Sequence, residues 1–248
     1  MVSKPGDNGA LGLQILEWDS SFFGRRIARI EASGFATDGG AAAIEWCRRE
    51  RVECAYLLVD ADDQGSCDAA LAQSFRLVDL RVTLSKLNSM VPEAVLGSPP
   101  VKVRAAVLAD VDSLKVIARV SHRDTRFYVD GKFDRGRCDE LYAVWIEKSC
   151  AGGAEQVYVA EVSGVAAGYI TCHQDAGTGP IGLIAVAGAF QHRGLGCALG
   201  LTACRYFVSL GTERVSVVTS GRNAAALAFY QKLGFSVSSI QLSFHNWF

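Results

Sequence analysis

Residues 182–207, GLIAVAGAFQHRGLGCALGLTACRYF, carry an apolar run directly into Gln191-His192-Arg193-Gly194-Leu195-Gly196, where a helical pattern begins. Two glycines one residue apart lower helix propensity at the point where a helix must start, so something there requires a bare backbone. The pattern predicts a strand–turn–helix unit whose first helical N–H groups point outward, at the positive end of the helix dipole. Glycine lets a diphosphate approach those donors closely, and Gln191 and Arg193 add side-chain donors beside the same spot. Neither common phosphate-binding pattern is met. No lysine follows Gly196 as a P-loop requires, and the third glycine of a dinucleotide fingerprint comes one residue late, at Gly200. Taken alone, the segment fits an ordinary strand-to-helix turn equally well.

The rest of the chain alternates strand and helix patterns on both sides of a proline-bearing stretch. Residues 11–31 predict strand, turn, strand; 39–51 a helix; 54–61 a strand; 67–75 a helix; and 76–86 a strand. Residues 88–100, NSMVPEAVLGSPP, hold three of the five prolines and read as a linker. Beyond it, 101–107 predicts a strand, 108–121 and 132–150 helices, and 155–174 a hairpin closed on Ser163-Gly164. A strand over 179–188 precedes the glycine turn; after its helix come a strand at 214–220, a helix at 223–234 and a last strand from 236. No short-period repeat stands out, although both halves use similar alternating elements. Such alternation predicts a mixed sheet with helices on its faces.

Charge and composition narrow the partners. Lys plus Arg total 25 against 26 acids, a net charge of −1, which gives no basic surplus for nucleic acid. The opening MVSKPGDNGALGLQ lacks the apolar core of a secretory signal, and no apolar run is long enough for a membrane span, so a cytoplasmic protein off the membrane is expected. The eight cysteines are scattered without a Cys-x-x-Cys pair and read as small buried residues in a reducing compartment, with no metal site expected.

Two motifs together give the chain a family likeness. Gln191-His192-Arg193-Gly194-Leu195-Gly196 and, downstream, Asn223-Ala-Ala-Ala-Leu-Ala-Phe-Tyr-Gln-Lys-Leu-Gly-Phe235 match the two signatures of the GNAT acyltransferase superfamily, in the right order. The hairpin YVAEVSGVAAGYI also resembles the one that precedes that superfamily's central strand. The resemblance implies a central mixed, mostly antiparallel sheet flanked by helices over 98–248, preceded by a smaller α/β domain over 1–97. It implies acetyl-CoA as co-substrate. Residues Gln191, His192, Arg193, Gly194, Leu195 and Gly196 would hold its diphosphate, and the strand at Ile184, Ala185 and Val186 its pantetheine arm. Asn223 would contact the coenzyme while also suiting a helix N-cap. Tyr230 would protonate the departing thiolate, although it equally fits an apolar stripe with Leu227 and Leu233. The oxyanion donor implied is a main-chain N–H near Val186. The general base stays open among His122, His173, His245, Glu161 and Asp175, with a water chain as the alternative.

For the acceptor, residues 16–31 (LEWDSSFFGRRIARIE), 74–85, 124–133 and 141–149 resemble the bacterial TDP-fucosamine acetyltransferases of surface polysaccharide synthesis. That implies the amine of a dTDP-linked amino-deoxy sugar. Arg126, Phe127 and Tyr128 form a mixed cationic and aromatic run suited to a nucleotide or sugar, with His245 as a further contact. Trp18, Phe22 and Phe23 read as core. Other acceptors stay open, among them an aminoglycoside, a peptide N-terminus or a natural-product amine. So do a non-catalytic coenzyme A module and a homodimer.

Overall fold

The computed structural model describes residues 12–88 and 101–248. The linker reading falls almost wholly outside them, as does the N-terminal stretch read for a signal. Strand β1 (Leu13–Ile15) leads into α1 (Glu17–Phe23) and β2 (Ile27–Glu31). A turn was expected where α1 forms. Its acids Glu17 and Asp19 suit the first turn, and Gly24, at φ 63°, ends it by returning an N–H to the Ser20 carbonyl. The Ser20 hydroxyl accepts the Ile27 N–H at 3.0 Å and so ties the helix to β2.

Helix α2 (Gly40–Arg49), β3 (Cys54–Asp60), α3 (Gln64–Ala72) and β4 (Arg76–Leu87) lie close to their expected spans. After the undescribed stretch come β5 (Lys102–Ala105), α4 (Val111–Ser121), a five-residue α5 (Arg126–Asp130) and α6 (Arg135–Lys148). The expected hairpin is β6 (Gln156–Val162) with β7 (Val165–Cys172). Ser163 (φ 51°) and Gly164 (φ 79°) close it, both left-handed as the twist of a two-residue hairpin requires. Then follow β8 (Thr178–Val186), α7 (Leu195–Ser209), β9 (Arg214–Ser220), α8 (Ala224–Lys232) and β10 (Ser236–Trp247). Among the described residues no helix is long and apolar enough to cross a membrane.

A single cut after residue 97 was expected. The described residues instead form two compact units, each built from several segments: those within Met1–Arg81, Arg126–Arg137 and Ile240–Phe248 in the first, and those within Val82–Thr125 and Cys138–Ser239 in the second. In the first unit the strand order is β1-β2-β3-β10-β4, with β10 contributing from Ile240 onward and β4 up to Arg81. β2 and β3 run parallel, while β1 and β10 pair antiparallel to their neighbours. Register puts Ile30, Leu57 and Phe244 in one row and Arg29, Tyr56 and His245 in the adjacent row. Successive strand residues face opposite sides, so the first row meets the helices and the second faces away from them. Ile30, Leu57, Val59 and Phe244 are buried with Ala43, Ile44 and Cys47 of α2 and Ala70 of α3. Each large side chain so buried contributes about 1.5–3 kcal/mol.

In the second unit β5 to β8 form an antiparallel meander, and β8 runs parallel to β9. Its core joins Ile170 and Ile181 of the sheet to Leu199, Ala203 and Phe207 of α7 and to Tyr230 and Leu233 at α8. The mixed α/β architecture expected from sequence is therefore present.

A repeat that the side chains conceal is visible in the backbone. Cys54–Asp60, Gln64–Ala72 and Arg76–Leu87 are matched 160 positions later by Arg214–Ser220, Ala224–Lys232 and Ser236–Trp247. Equivalent side chains cap the two helices: Asp63 accepts from Ser66 N at 3.0 Å, and Asn223 from Ala226 N at 2.9 Å. Left-handed residues recur at the same offset, Gly34 with Gly194, Arg51 with Gly211 and Ser74 with Gly234. The first copy thus keeps Arg51 and Ser74 in a conformation that costs a non-glycine residue roughly 1 kcal/mol. Ser74→Gly is expected to raise stability, and Gly234→Ser to lower it, each by about 0.5–1 kcal/mol in urea unfolding. A midpoint that falls for Ser74→Gly would contradict this account of the turn.

Candidate active site

Strand β8 has one edge that its neighbour abandons. It pairs with β9 from Thr178 to Ile181, against Arg214 to Val217, and among the described residues that pairing goes no further. The opposite edge stays on β7, with Gly168, Tyr169 and Ile170 facing Val186, Ala185 and Ile184. On that side the Leu183 N–H goes to Thr171 Oγ1 at 2.8 Å and the Ala187 N–H to the Ala167 carbonyl at 2.9 Å. Backbone groups alternate along a strand, so the N–H and C=O of Ile184 and Val186 point to the open side.

The chain then turns into α7. Gln191 donates from Nε2 to the Val186 carbonyl at 3.1 Å, and His192 (φ 60°) and Gly194 (φ 81°) are left-handed. The first helical bond is Ala198 N–H to the Gly194 carbonyl, at 3.0 Å. The main-chain amides of residues 192–197 make no hydrogen bond to another described residue. They form a set of donors at the positive end of a 15-residue helix. Leu195, buried, anchors the turn in the core, while Arg193 lies exposed with its guanidinium 5.5 Å from the Phe190 ring. A side chain at Gly196 would reach Phe229 of α8 at 3.4 Å, so the first turn of α7 rests close against α8.

These features fit coenzyme A. Unpartnered amides suit its diphosphate, and the open strand edge suits an arm that carries amides. On α8, Asn223 is the N-cap expected of it. Tyr230 is buried, with Phe229 and Phe235 set edge-on at 4.9 and 5.4 Å. Burial pushes its phenol well above the usual range, which keeps the proton on a hydroxyl that bonds to no described residue. Tyr230 therefore packs in the core while keeping a protonated hydroxyl.

The base candidates separate clearly. Glu161 is occupied by Lys102 and Arg104, at 2.7 Å each. Asp175 shapes the turn before β8 through main-chain bonds with Thr178. His122 places Nε2 2.9 Å from the Tyr169 hydroxyl and stacks on Tyr142 at 4.7 Å; burial lowers its pKa to about 4. His173 lies over Gly182 and shares Thr171 Oγ1, at 3.2 Å, with the Leu183 N–H.

The residues expected at the acceptor fall in the first unit. Arg126 and the half-buried Tyr128 belong to α5, and His245 to β10. Arg126 holds its guanidinium 4.3 Å from the Tyr56 ring, and His245 stacks on the same ring at 4.5 Å. His245 Nδ1 hydrogen-bonds Asp130, which also accepts the Trp247 indole N–H at 3.0 Å. Burial lowers the His245 pKa to about 4, with Asp130 opposing. Cys54, Asp130 and His245 each bring a metal-type ligand atom within 4.8 Å of the others. Hydrogen bonding already accounts for this cluster, and burial drives the Cys54 thiol away from the thiolate form. Of the residues expected in the core, Phe23 is half-buried and packs on Phe127 and Phe133, whereas Trp18 is 37% exposed and stacks on Phe22. Tyr56 was missed. Its signal was the alternation of Cys54, Tyr56 and Leu58 with the small and apolar Ala55, Leu57 and Val59.

Residues 120–235 match the Acetyltransferase (GNAT) family. This stretch, a little under half of the chain, is similar to GNAT acetyltransferase domains. A 58-residue stretch is 45% identical to the mycothiol acetyltransferase of Amycolatopsis mediterranei (strain U-32), covering 23% of this chain and only 19% of that relative. A GCN5-related N-acetyltransferase structure from Sphaerobacter thermophilus superposes with a TM-score of 0.70 at 14% identity, over 95% of this chain and 76% of that one. A tandem GNAT protein from the clavulanic acid biosynthesis pathway gives 0.59 at 17% identity, over 90% and 76%. These structures share the fold. The residues of the two motifs lie in the second copy of the repeat, within the matched stretch. At the same offset the first copy has Glu31 for Gln191, Ser33 for Arg193 and Ala70 for Tyr230.

His122 carries a consequence for stability. Its pKa is about 4 when folded against 6.5 for the free side chain, so the unfolded chain binds more protons between those values. Stability therefore falls as pH drops through that window, and His245 adds in the same direction. Urea midpoints at stepped pH should decline between about 6.5 and 4.5, less steeply in His122→Gln. Equal slopes would remove His122 as a cause.

Proposed function

We propose that the protein moves an acetyl group from acetyl-CoA to the amine of a nucleotide-linked amino-deoxy sugar, by direct attack within a ternary complex. One observation carries the coenzyme half: unpartnered amides at residues 192–197 beside the open edge of β8. Gln191, His192, Arg193, Gly194, Leu195 and Gly196 hold the diphosphate, Ile184, Ala185 and Val186 line the pantetheine arm, and Asn223 flanks it. As the amine nitrogen bonds to the acetyl carbon, a main-chain N–H near Val186 takes the developing oxyanion. The carbon–sulfur bond then breaks, and Tyr230 gives its proton to the sulfur. The amine of an amino sugar is less basic than lysine, which eases loss of its own proton to water.

On the acceptor side, the stacked Arg126 and Tyr56 support the reading, together with the sequence likeness over residues 16–31 and 124–133. Arg126, Tyr128 and His245 contact the acceptor. A second reading, an acceptor of the mycothiol kind, is favoured by the 45% identical stretch. Acetyl-CoA consumption against dTDP- and UDP-linked amino sugars and mycothiol-type amines separates the two. Turnover confined to the last group would overturn the nucleotide-sugar reading.

Tyr230→Phe is expected to lower kcat by about 100-fold while coenzyme A binds within about twofold of wild type. Full turnover in that variant would remove the proposed acid. Gly194→Val should weaken coenzyme A binding about tenfold or more, read by calorimetry, because a branched side chain resists the left-handed turn that aims the amides.

A further inference from the structure

The face of the first unit's sheet that looks away from α2 and α3 is polar where a sheet buried on both sides should be apolar. Register aligns Gln14, Arg29, Tyr56 and His245 across β1, β2, β3 and β10, and Gln241 lies two same-face steps along β10 from His245. Gln14 accepts from Arg29 at 2.7 Å, and Gln241 both accepts from Arg81 at 2.8 Å and donates to Asp60 at 2.9 Å. Phe127 and Phe133 lie against Tyr56, and Arg126 and His245 stack on it.

Two properties of this face remain unbalanced. Tyr56 and His245 are 3% and 1% exposed, yet the Tyr56 hydroxyl and His245 Nε2 have no hydrogen-bond partner. With Nδ1 bonded to Asp130 and the ring neutral, Nε2 presents a lone pair that needs a donor. Burying such groups unpaired is costly, so their retention calls for a partner. The second property is charge. Among the described residues neither Arg81 nor Arg126 makes a salt bridge. The two lie close enough that burial and the charge of Arg126 both lower the Arg81 pKa. Asp19 is the nearby acid, and burial raises its pKa despite Arg126 and Arg29.

We propose that this face is a binding site for a phosphate-bearing, hydroxylated small molecule, with Arg81 and Arg126 taking the anion and Tyr56 and His245 Nε2 pairing with ligand hydroxyl or N–H groups. The guanidinium fork matches phosphate oxygens two at a time, and the Tyr56 stack holds Arg126 in place to do so. The inference rests on the reading that the first unit takes the acceptor. It adds Tyr56 and Arg81 to the residues the sequence pointed to, and it requires that the acceptor carry its negative charge on the part held here.

Calorimetric titration of the full chain with dTDP, thymidine and glucuronate tests it without any turnover. Wild type is expected to bind dTDP at least tenfold tighter than thymidine. Arg81→Gln and Arg126→Gln should each weaken dTDP about tenfold or more while coenzyme A affinity stays unchanged, with Arg126→Lys intermediate. Tyr56→Phe should weaken dTDP and also raise the urea midpoint of the ligand-free protein, because it removes a buried hydroxyl that nothing satisfies. A purely structural Tyr56 would lower that midpoint. Equal affinity for dTDP and glucuronate in wild type and the double arginine variant would overturn the site. Arginine-dependent binding of glucuronate but not dTDP would keep an anion site and overturn the phosphate assignment. Arginine-dependent binding of dTDP, with no dTDP-linked amino sugar acetylated, would support the site and overturn the acceptor reading instead.

Discussion

Everything chemical in the second unit depends on β9 leaving β8 after Ile181. While the strands pair, their main-chain groups satisfy one another; where pairing stops, the amides of Ile184 and Val186 and the Ile184 carbonyl are left without a strand partner. An unpaired strand edge is ordinarily a liability. Here it abuts a helix start whose amides are also unspent, and Gln191 links the two by donating to the Val186 carbonyl. The result is two neighbouring sets of backbone donors, at 184 and 186 and at 192–197, suited to a ligand that is anionic at one end and amide-rich along its arm. Tyr230 belongs to this arrangement through its neighbour Phe229, against which Gly196 rests, and its burial in the core keeps its proton in place.

The 160-residue repeat shows how one backbone supports two uses. Both copies keep the cap, the left-handed turns and the helix between two strands, because these are set by chain geometry. Only the second keeps Gln191, Arg193 and Tyr230. In the first, Glu31 would repel a diphosphate, and Ala70 has no proton to give. The first copy carries a polar row, Arg29, Tyr56 and His245, on the sheet face away from its helices. Leaving the Tyr56 hydroxyl and His245 Nε2 unpaired at that depth costs stability, the pattern expected where a fold gives up some of its stability for recognition.

Much of this was legible in the chain itself. Glycine spacing at 194 and 196, the Asn223 cap and the Phe-Tyr-x-Lys-x-Gly-Phe run name their backbone conformations almost directly, since each residue type is chosen for local geometry. Hydrophobic alternation likewise located β3, β6, β7 and β9 within a residue or two. α1 was misread because seven residues barely outweigh the turn signal of Ser20 and Gly24, and the helix is settled by the Ser20 bond to β2. The repeat escaped notice because it is conserved in dihedral angles rather than in side chains.

Sequence alone therefore determined the class of fold, the family likeness and the glycine turn that opens α7, all of which rest on contacts between residues near one another in the chain. Tertiary structure decided which strands part, that residues 240–248 complete the first unit's sheet, and that Tyr56, Arg126 and His245 share one stack. Those outcomes depend on pairing segments separated by up to nearly two hundred residues, and no local propensity encodes which edge a distant strand will choose.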